Sequence, residues 1–96
     1  MKSYREVLGR ATWKFLHLYT MGFTSIPKVV LKKLRKMIYI IGDTYPCDEC
    51  KVNFQKILRK YKPDFKNGNG FRKYMCFVHN KVNKQIGKPQ FDCNKI

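Results

Sequence analysis

Acidic side chains are scarce, six against 21 lysines and arginines in 96 residues, which leaves a formal charge of +15. That balance favours association with nucleic acid, anionic membranes, acidic proteins or phosphate-bearing ligands, and charge alone does not choose among them. The bases are spread over every segment, as in "KKLRK" at 32–36 and "KNGNGFRK" at 66–73, and they read first as solvated helix faces. Long apolar runs are also missing. Nothing approaches the roughly 18–20 apolar residues of a membrane span, and "MKSYREVLGR" has no apolar signal-peptide core, so the expectation is a soluble protein that the usual export route does not handle. There is no internal repeat and no low-complexity segment. No alternating run suggests a sheet, which counts against a thioredoxin fold around a Cys-x-x-Cys.

What is present points to a packed core. Hydrophobic residues make up 44% of the chain and aromatics 15%, too much for a disordered segment, and the length has room for one domain over residues 1–96. From Tyr4 to about Met21, Val7, Leu8, Ala11, Phe15, Leu18 and Tyr19 recur at helical steps, with Trp13 and His17 on a second stripe. After "TSIP", Pro27 suits the first position of a second helix carrying Val30, Leu31, Leu34, Met37, Ile38 and Ile41, and Gly42 can end it. A third helix begins near Cys47, turns Phe54, Ile57 and Leu58 inward and stops before Pro63. "KNGNG" reads as a flexible loop, after which Phe71, Tyr74, Met75, Val78, Val82 and Ile86 trace a fourth helix ending at Gly87. "KPQFDCNKI" reads as an extended tail. The predicted fold is all-α, a small four-helix bundle.

Four cysteines allow three readings. Cys47-x-x-Cys50 followed after 25 residues by Cys76-x-x-His79 has the ligand count of a structural zinc site, but Cys93 is left over and both pairs fall on helices. Buried free thiols are the second reading, a poor fit for a Cys-x-x-Cys behind proline at a helix start. In the third, Cys47 and Cys50 are a redox pair and Cys76 with Cys93 a structural bond. The helix N-terminus would stabilise a Cys47 thiolate, although Asp48 and Glu49 in the same turn oppose it. Closing the 17-residue loop from Cys76 to Cys93 would contribute about 3 kcal/mol and fasten the tail. Disulfides are rare in reducing compartments unless catalytic or redox-sensing, so the cysteines sit oddly in a chain without a visible export signal.

The segment "HNKVNKQIGKPQFDC", His79 to Cys93, resembles the flavin-binding signature of the Erv/ALR family of FAD-dependent sulfhydryl oxidases, and "GRATWKFLH" (9–17) and "YPCDEC" (45–50) precede it in the family's order. The resemblance implies a four-helix bundle that holds FAD, with "GRATWKFLH" and "HNKVNK" facing each other across it, usually in a homodimer. Carried over, it implies Cys47 and Cys50 as the catalytic pair and Cys76 and Cys93 as the structural disulfide. Its cofactor-binding set is Gly9, Arg10, Thr12, Trp13, His17, Cys50, His79, Asn80, Val82, Asn83, Lys84 and Lys88. Trp13 and His79 offer flat surfaces for adenine; His17, Asn80 and Asn83 can bond polar edges; Arg10, Lys84 and Lys88 supply charge for the pyrophosphate. Taken singly, each of these has a plainer role: a core tryptophan, structural histidines, solvated lysines.

The mechanism the resemblance implies runs from a protein dithiol through Cys47 and Cys50 to FAD and then to molecular oxygen, giving hydrogen peroxide. All four cysteines are thereby assigned, so substrates reach Cys47 directly or through a separate thioredoxin-like or small dithiol relay protein, and a homodimer would be noncovalent. Members commonly continue with a tryptophan-containing segment where this chain stops at Ile96, and many have two tyrosines where Gly22 and Phe23 stand. A short four-cysteine core is most like the versions encoded by large DNA viruses, which implies host cytoplasm and the virion, with the mitochondrial intermembrane space as the alternative. The competing class is a non-catalytic zinc or nucleic-acid binding module; the oxidase reading expects no metal, no specific nucleic acid and no transmembrane segment.

Overall fold

The computed structural model describes residues 3–95, which form α1 (Tyr4–Thr20), α2 (Lys28–Thr44), α3 (Asp48–Lys60), α4 (Gly68–Gln85) and a closing 3-10 turn (Cys93–Lys95). No strand occurs among them, and the only ladder is one bridge between Ser25 and Asn67. α1 packs on α4, α2 on α3, and α3 also touches α4. Three of the four helices start on a side-chain cap. Ser3 caps α1 by accepting from the Glu6 amide, with Glu6 completing a Ser-x-x-Glu capping pattern. The Cys47 sulfur caps α3, whose first turn holds Asp48 and Glu49 and whose last holds Arg59 and Lys60, as the helix dipole favours. Asn67 caps α4 through a 2.8 Å bond from the Gly70 amide.

Leu16, Leu31, Leu34, Ile38, Leu58, Phe71 and Met75 are buried together, with Phe65 stacked on Phe71 at 4.6 Å and Phe23 edge-on to it at 5.7 Å. Each such side chain contributes about 1.5–3 kcal/mol of burial. Arg72 of α4 reaches the end of α1, donating to the carbonyls of Thr20 at 3.2 Å and Phe23 at 2.7 Å, so a cation satisfies acceptors that the helix terminus leaves open.

Three expectations change in detail. α4 starts at Gly68, inside "KNGNG", because the backbone there lies against that of Phe23; a Cβ at Gly68 would overlap the Phe23 carbonyl, and the Gly68 amide bonds Thr24. Glycine is chosen for close approach, and the segment is not a loop. α2 runs through Gly42 to Thr44, since Gly42 admits the Phe54 ring, and Pro27 stands one position earlier, at the N-cap. On α1 the core face is not the expected stripe: Leu16 and Thr20, outside it, are buried, whereas Val7, Phe15 and Leu18 of the stripe stay 53–59% exposed. The tail lacks regular structure until Cys93, whose bond to Cys76 ties it to α4.

Candidate active site

Cys47 and Cys50 are bonded, with Cα atoms 5.3 Å apart, at the first turn of α3. The Cys47 sulfur accepts from the Cys50 amide at 3.4 Å. α1 reaches this turn twice. Arg5 Nη2 lies 3.7 Å from Cys50 Sγ and 3.4 Å from Glu49 Oε2, and Thr12 Oγ1 lies 3.3 Å from the hydroxyl of Tyr45, two residues before Cys47. Thr12 also donates to the Leu8 carbonyl at 2.7 Å, which fixes its rotamer.

One turn along α3 from Cys50, on the same face, Phe54 meets Trp13 at 6.3 Å. Trp13 in turn stacks on His79 of α4, centroids 4.2 Å apart and planes within 5°. His79 Nδ1 and His17 Nε2 are 2.9 Å apart, one donating to the other. Burial holds both imidazoles neutral. It lowers His17 from its ordinary range and, with the repulsion a second proton on the His17–His79 pair would meet and the charge of Lys88 adding to it, pushes His79 down to about 4. The Cys47–Cys50 disulfide and the flat, uncharged aromatic and imidazole surface are thus approached by one helix, α3, which carries Cys50 and, one turn on, the Phe54 ring that meets Trp13.

The anticipated residues divide. Trp13, His17 and His79 converge, and the Cys47–Cys50 disulfide lies one turn before Phe54 on α3. Gly9 has open space where a Cβ would be, and Arg10, Lys84 and Lys88 are exposed. Asn83, in α4 one turn beyond His79, is 8% exposed; Val82 is half-buried. Asn80 meets the tail: its amide group donates to the Phe91 carbonyl at 2.7 Å and accepts from the Phe91 amide at 2.8 Å. The zinc alternative is overturned by the donors themselves, since Cys76 is bonded to Cys93, Cys47 to Cys50, and His79 is engaged by Trp13 and His17. No group of metal-binding side chains occurs among the described residues. Sequence reasoning missed Arg5, Tyr45 and Phe54. Tyr45 and Phe54 flank the Cys-x-x-Cys within one turn and could have been named from that spacing; Arg5, one of 21 bases, carried no signal.

Because the folded pKa of His79 lies below the ordinary 6.5, the unfolded chain binds the extra proton first as pH falls. The stabilisation is complete above about 6.5 and is lost on the way down to about 4. The melting temperature is expected to fall between pH 7.5 and 4.5, by less in His79→Gln; equal falls in the two proteins would contradict the neutral-imidazole assignment.

A model described as the Erv1 / Alr family matches residues 10–96. The mitochondrial FAD-linked sulfhydryl oxidase ERV1 of Saccharomyces cerevisiae is 36% identical over 90 residues, 93% of this chain and 48% of the yeast protein. The FAD-linked sulfhydryl oxidase ERV1 of Arabidopsis thaliana is 37% identical over 93 residues, 96% and 49% of the two chains. An African swine fever virus FAD-linked sulfhydryl oxidase is 28% identical over 82 residues, 83% of this chain and 68% of the viral one. The chain thus spans about half the length of the yeast and plant relatives. The crystal structure of the FAD-binding domain of Erv1 from Saccharomyces cerevisiae superposes with a TM-score of 0.90 at 33% identity, covering 97% of this chain and 90% of that one. Four helices in the same arrangement and a family match over nearly the whole sequence lead to one conclusion: the chain belongs to the Erv1 / Alr family.

Proposed function

We propose that this chain is an FAD-dependent thiol oxidase that makes disulfide bonds in protein substrates. The observation that carries the reading is the closed Cys47–Cys50 bond at the start of α3, the helix whose Phe54, one turn on from Cys50, meets Trp13 of the Trp13–His79 stack. The residues suit FAD. Trp13 and His79 cover each other's inner faces, so an adenine would lie on an outer face of the pair, not between them. His17 and Asn83 are neutral bonding groups beside it, Arg10, Lys84 and Lys88 are exposed cations suited to a pyrophosphate, and the open side of Gly9 admits a ligand to the backbone. Thr12, Val82, Cys50 and Asn80 complete the proposed binding set, and Asn80 also holds the tail against α4.

A substrate thiolate attacks Cys47 Sγ, the Cys47–Cys50 bond breaks, and Cys50 leaves as the thiolate. A second substrate thiolate attacks the mixed disulfide, releasing Cys47 and an oxidised substrate. FAD, when bound, supplies the two-electron acceptor that lets the pair reclose and passes the electrons to oxygen as hydrogen peroxide. The 96 residues hold no cysteine beyond the two disulfides, so the thiols that reach Cys47 come from outside this stretch, from the substrate itself or from a thioredoxin-like or small dithiol relay protein. Cys50→Ser is expected to abolish thiol-dependent oxygen consumption while the purified protein stays yellow; retained activity would refute the assignment.

A noncovalent homodimer is part of the proposal. Val7, Phe15 and Leu18 on α1 and Ile40 on α2 are 53–59% exposed, and an apolar groove of about 420 Å³ lined by Leu8, Ala11, Phe15, Ile41 and Pro46 runs between the two helices. Sedimentation at twice the chain mass, unchanged by reductant, is the expected outcome; a monomer at micromolar concentration contradicts it. The match to African swine fever virus proteins supports a viral source acting in host cytoplasm and virion, and the more identical yeast relative, named mitochondrial, supports the organelle as the second reading. No helix among the described residues is long and apolar enough to cross a membrane.

A further inference from the structure

We propose that Arg5 is a catalytic residue whose guanidinium holds the Cys50 sulfur as a thiolate when the Cys47–Cys50 bond opens, so that an incoming thiolate is directed to Cys47. The role rests on the thiol-oxidase reading for its place in a reaction, but its electrostatic content can be measured without turnover. Arg5 belongs to the first turn of α1 and lies outside all three motifs that carry the family resemblance. It nevertheless crosses 45 residues of sequence to place Nη2 at 3.7 Å from Cys50 Sγ.

The two sulfurs are held differently. Cys47 Sγ accepts from a neutral backbone amide, that of Cys50, at 3.4 Å, whereas Cys50 Sγ faces a full positive charge. A charged donor stabilises an anion more than a neutral one does. In the exchange step a bond forms between the substrate sulfur and Cys47 Sγ, the Cys47–Cys50 bond breaks, and the electron pair leaves on Cys50; no proton and no outside oxidant is required. The sulfur that is the more stable anion is the better leaving group, so attack at Cys47 is the faster of the two possibilities.

The charges around Cys50 compete. Glu49 Oε2 takes part of the Arg5 charge at 3.4 Å, Asp48 lies on the same turn with Lys51 beside it at 4.0 Å, and the Tyr45 hydroxyl is turned to Thr12. Arg5 and Glu49 have side chains 55% and 71% exposed, so water and salt screen the pair. At this separation, in a largely aqueous setting, the effect is on the order of half a pH unit to one pH unit.

Cys47→Ala leaves Cys50 as the one free thiol while Cys76 and Cys93 remain bonded. In flavin-loaded Cys47→Ala protein, the pH profile of Cys50 alkylation by iodoacetamide, followed by mass spectrometry, is compared with and without Arg5→Gln or Arg5→Lys. The midpoint is expected to rise by about half to one pH unit with Gln and to return most of the way with Lys. In the parent it is expected to rise from low to high salt. Identical midpoints in the three proteins overturn the proposal. If Arg5→Gln does not fold, a parent midpoint that ignores salt overturns it instead. Alkylation consumes no oxygen, so a negative result here leaves the oxidase reading standing, and a protein inactive toward thiols can still show the Arg5 effect.

Discussion

Trp13 of α1 lies flat against His79 of α4, and His79 is bonded at 2.9 Å to His17, one turn along from Trp13. This contact sets the register of α1 on α4, and the position of the other helices around the site follows from it. Phe54 leans on Trp13 and brings α3 with it, which puts Cys50 one turn away on the same face. At the far end of α1, Arg72 binds the last carbonyls and keeps the helix from sliding. The same burial that fixes the histidines keeps them uncharged, and two imidazolium groups could not share so short a contact. A cluster that is flat, neutral and edged with free cations is suited to a planar cofactor with an anionic segment.

The dithiol is positioned by a separate set of local rules. Pro46 precedes Cys47 at the N-cap, and α3 then runs with acids first and bases last. Arg5 of α1 reaches Cys50 Sγ at 3.7 Å while Cys47 Sγ is met by the Cys50 amide, so under the proposed role of Arg5 the division of labour between the sulfurs depends on α1 as well as on the motif that contains them. The tail is held just as specifically, by the Cys76–Cys93 bond and by the pair of hydrogen bonds in which Asn80 donates to the Phe91 carbonyl and accepts from the Phe91 amide.

The four helices were legible because apolar residues recur at helical spacing: Leu31, Leu34 and Ile38 on α2 and Phe71, Met75 and Val78 on α4 are buried as that period requires. The start of α4 was not legible, since Gly68 and Gly70 read as a loop until the Phe23 backbone is known to lie against Gly68 and Phe65 against Gly70. On α1, period alone could not separate the core face, with Leu16 and Thr20, from the exposed apolar stripe with Val7, Phe15 and Leu18. Cysteine spacing left zinc open, because pairing is a property of the folded chain. The resemblance to a flavoprotein family found Trp13, His17 and His79, whose meeting joins residues more than 60 positions apart. It could not find Arg5, which no motif includes, or the commitment of Asn80 to the tail.

The central claim is that Cys47 and Cys50 exchange electrons with a flavin bound beside Trp13 and His79. Anaerobic titration of the purified protein with a dithiol, followed by absorption, tests it most directly. The account predicts a flavin band near ~450 nm that bleaches as the dithiol is consumed, one equivalent per chain once the Cys47–Cys50 bond has been reduced. A colourless protein, or a band that persists after the further equivalent has been added, would contradict it.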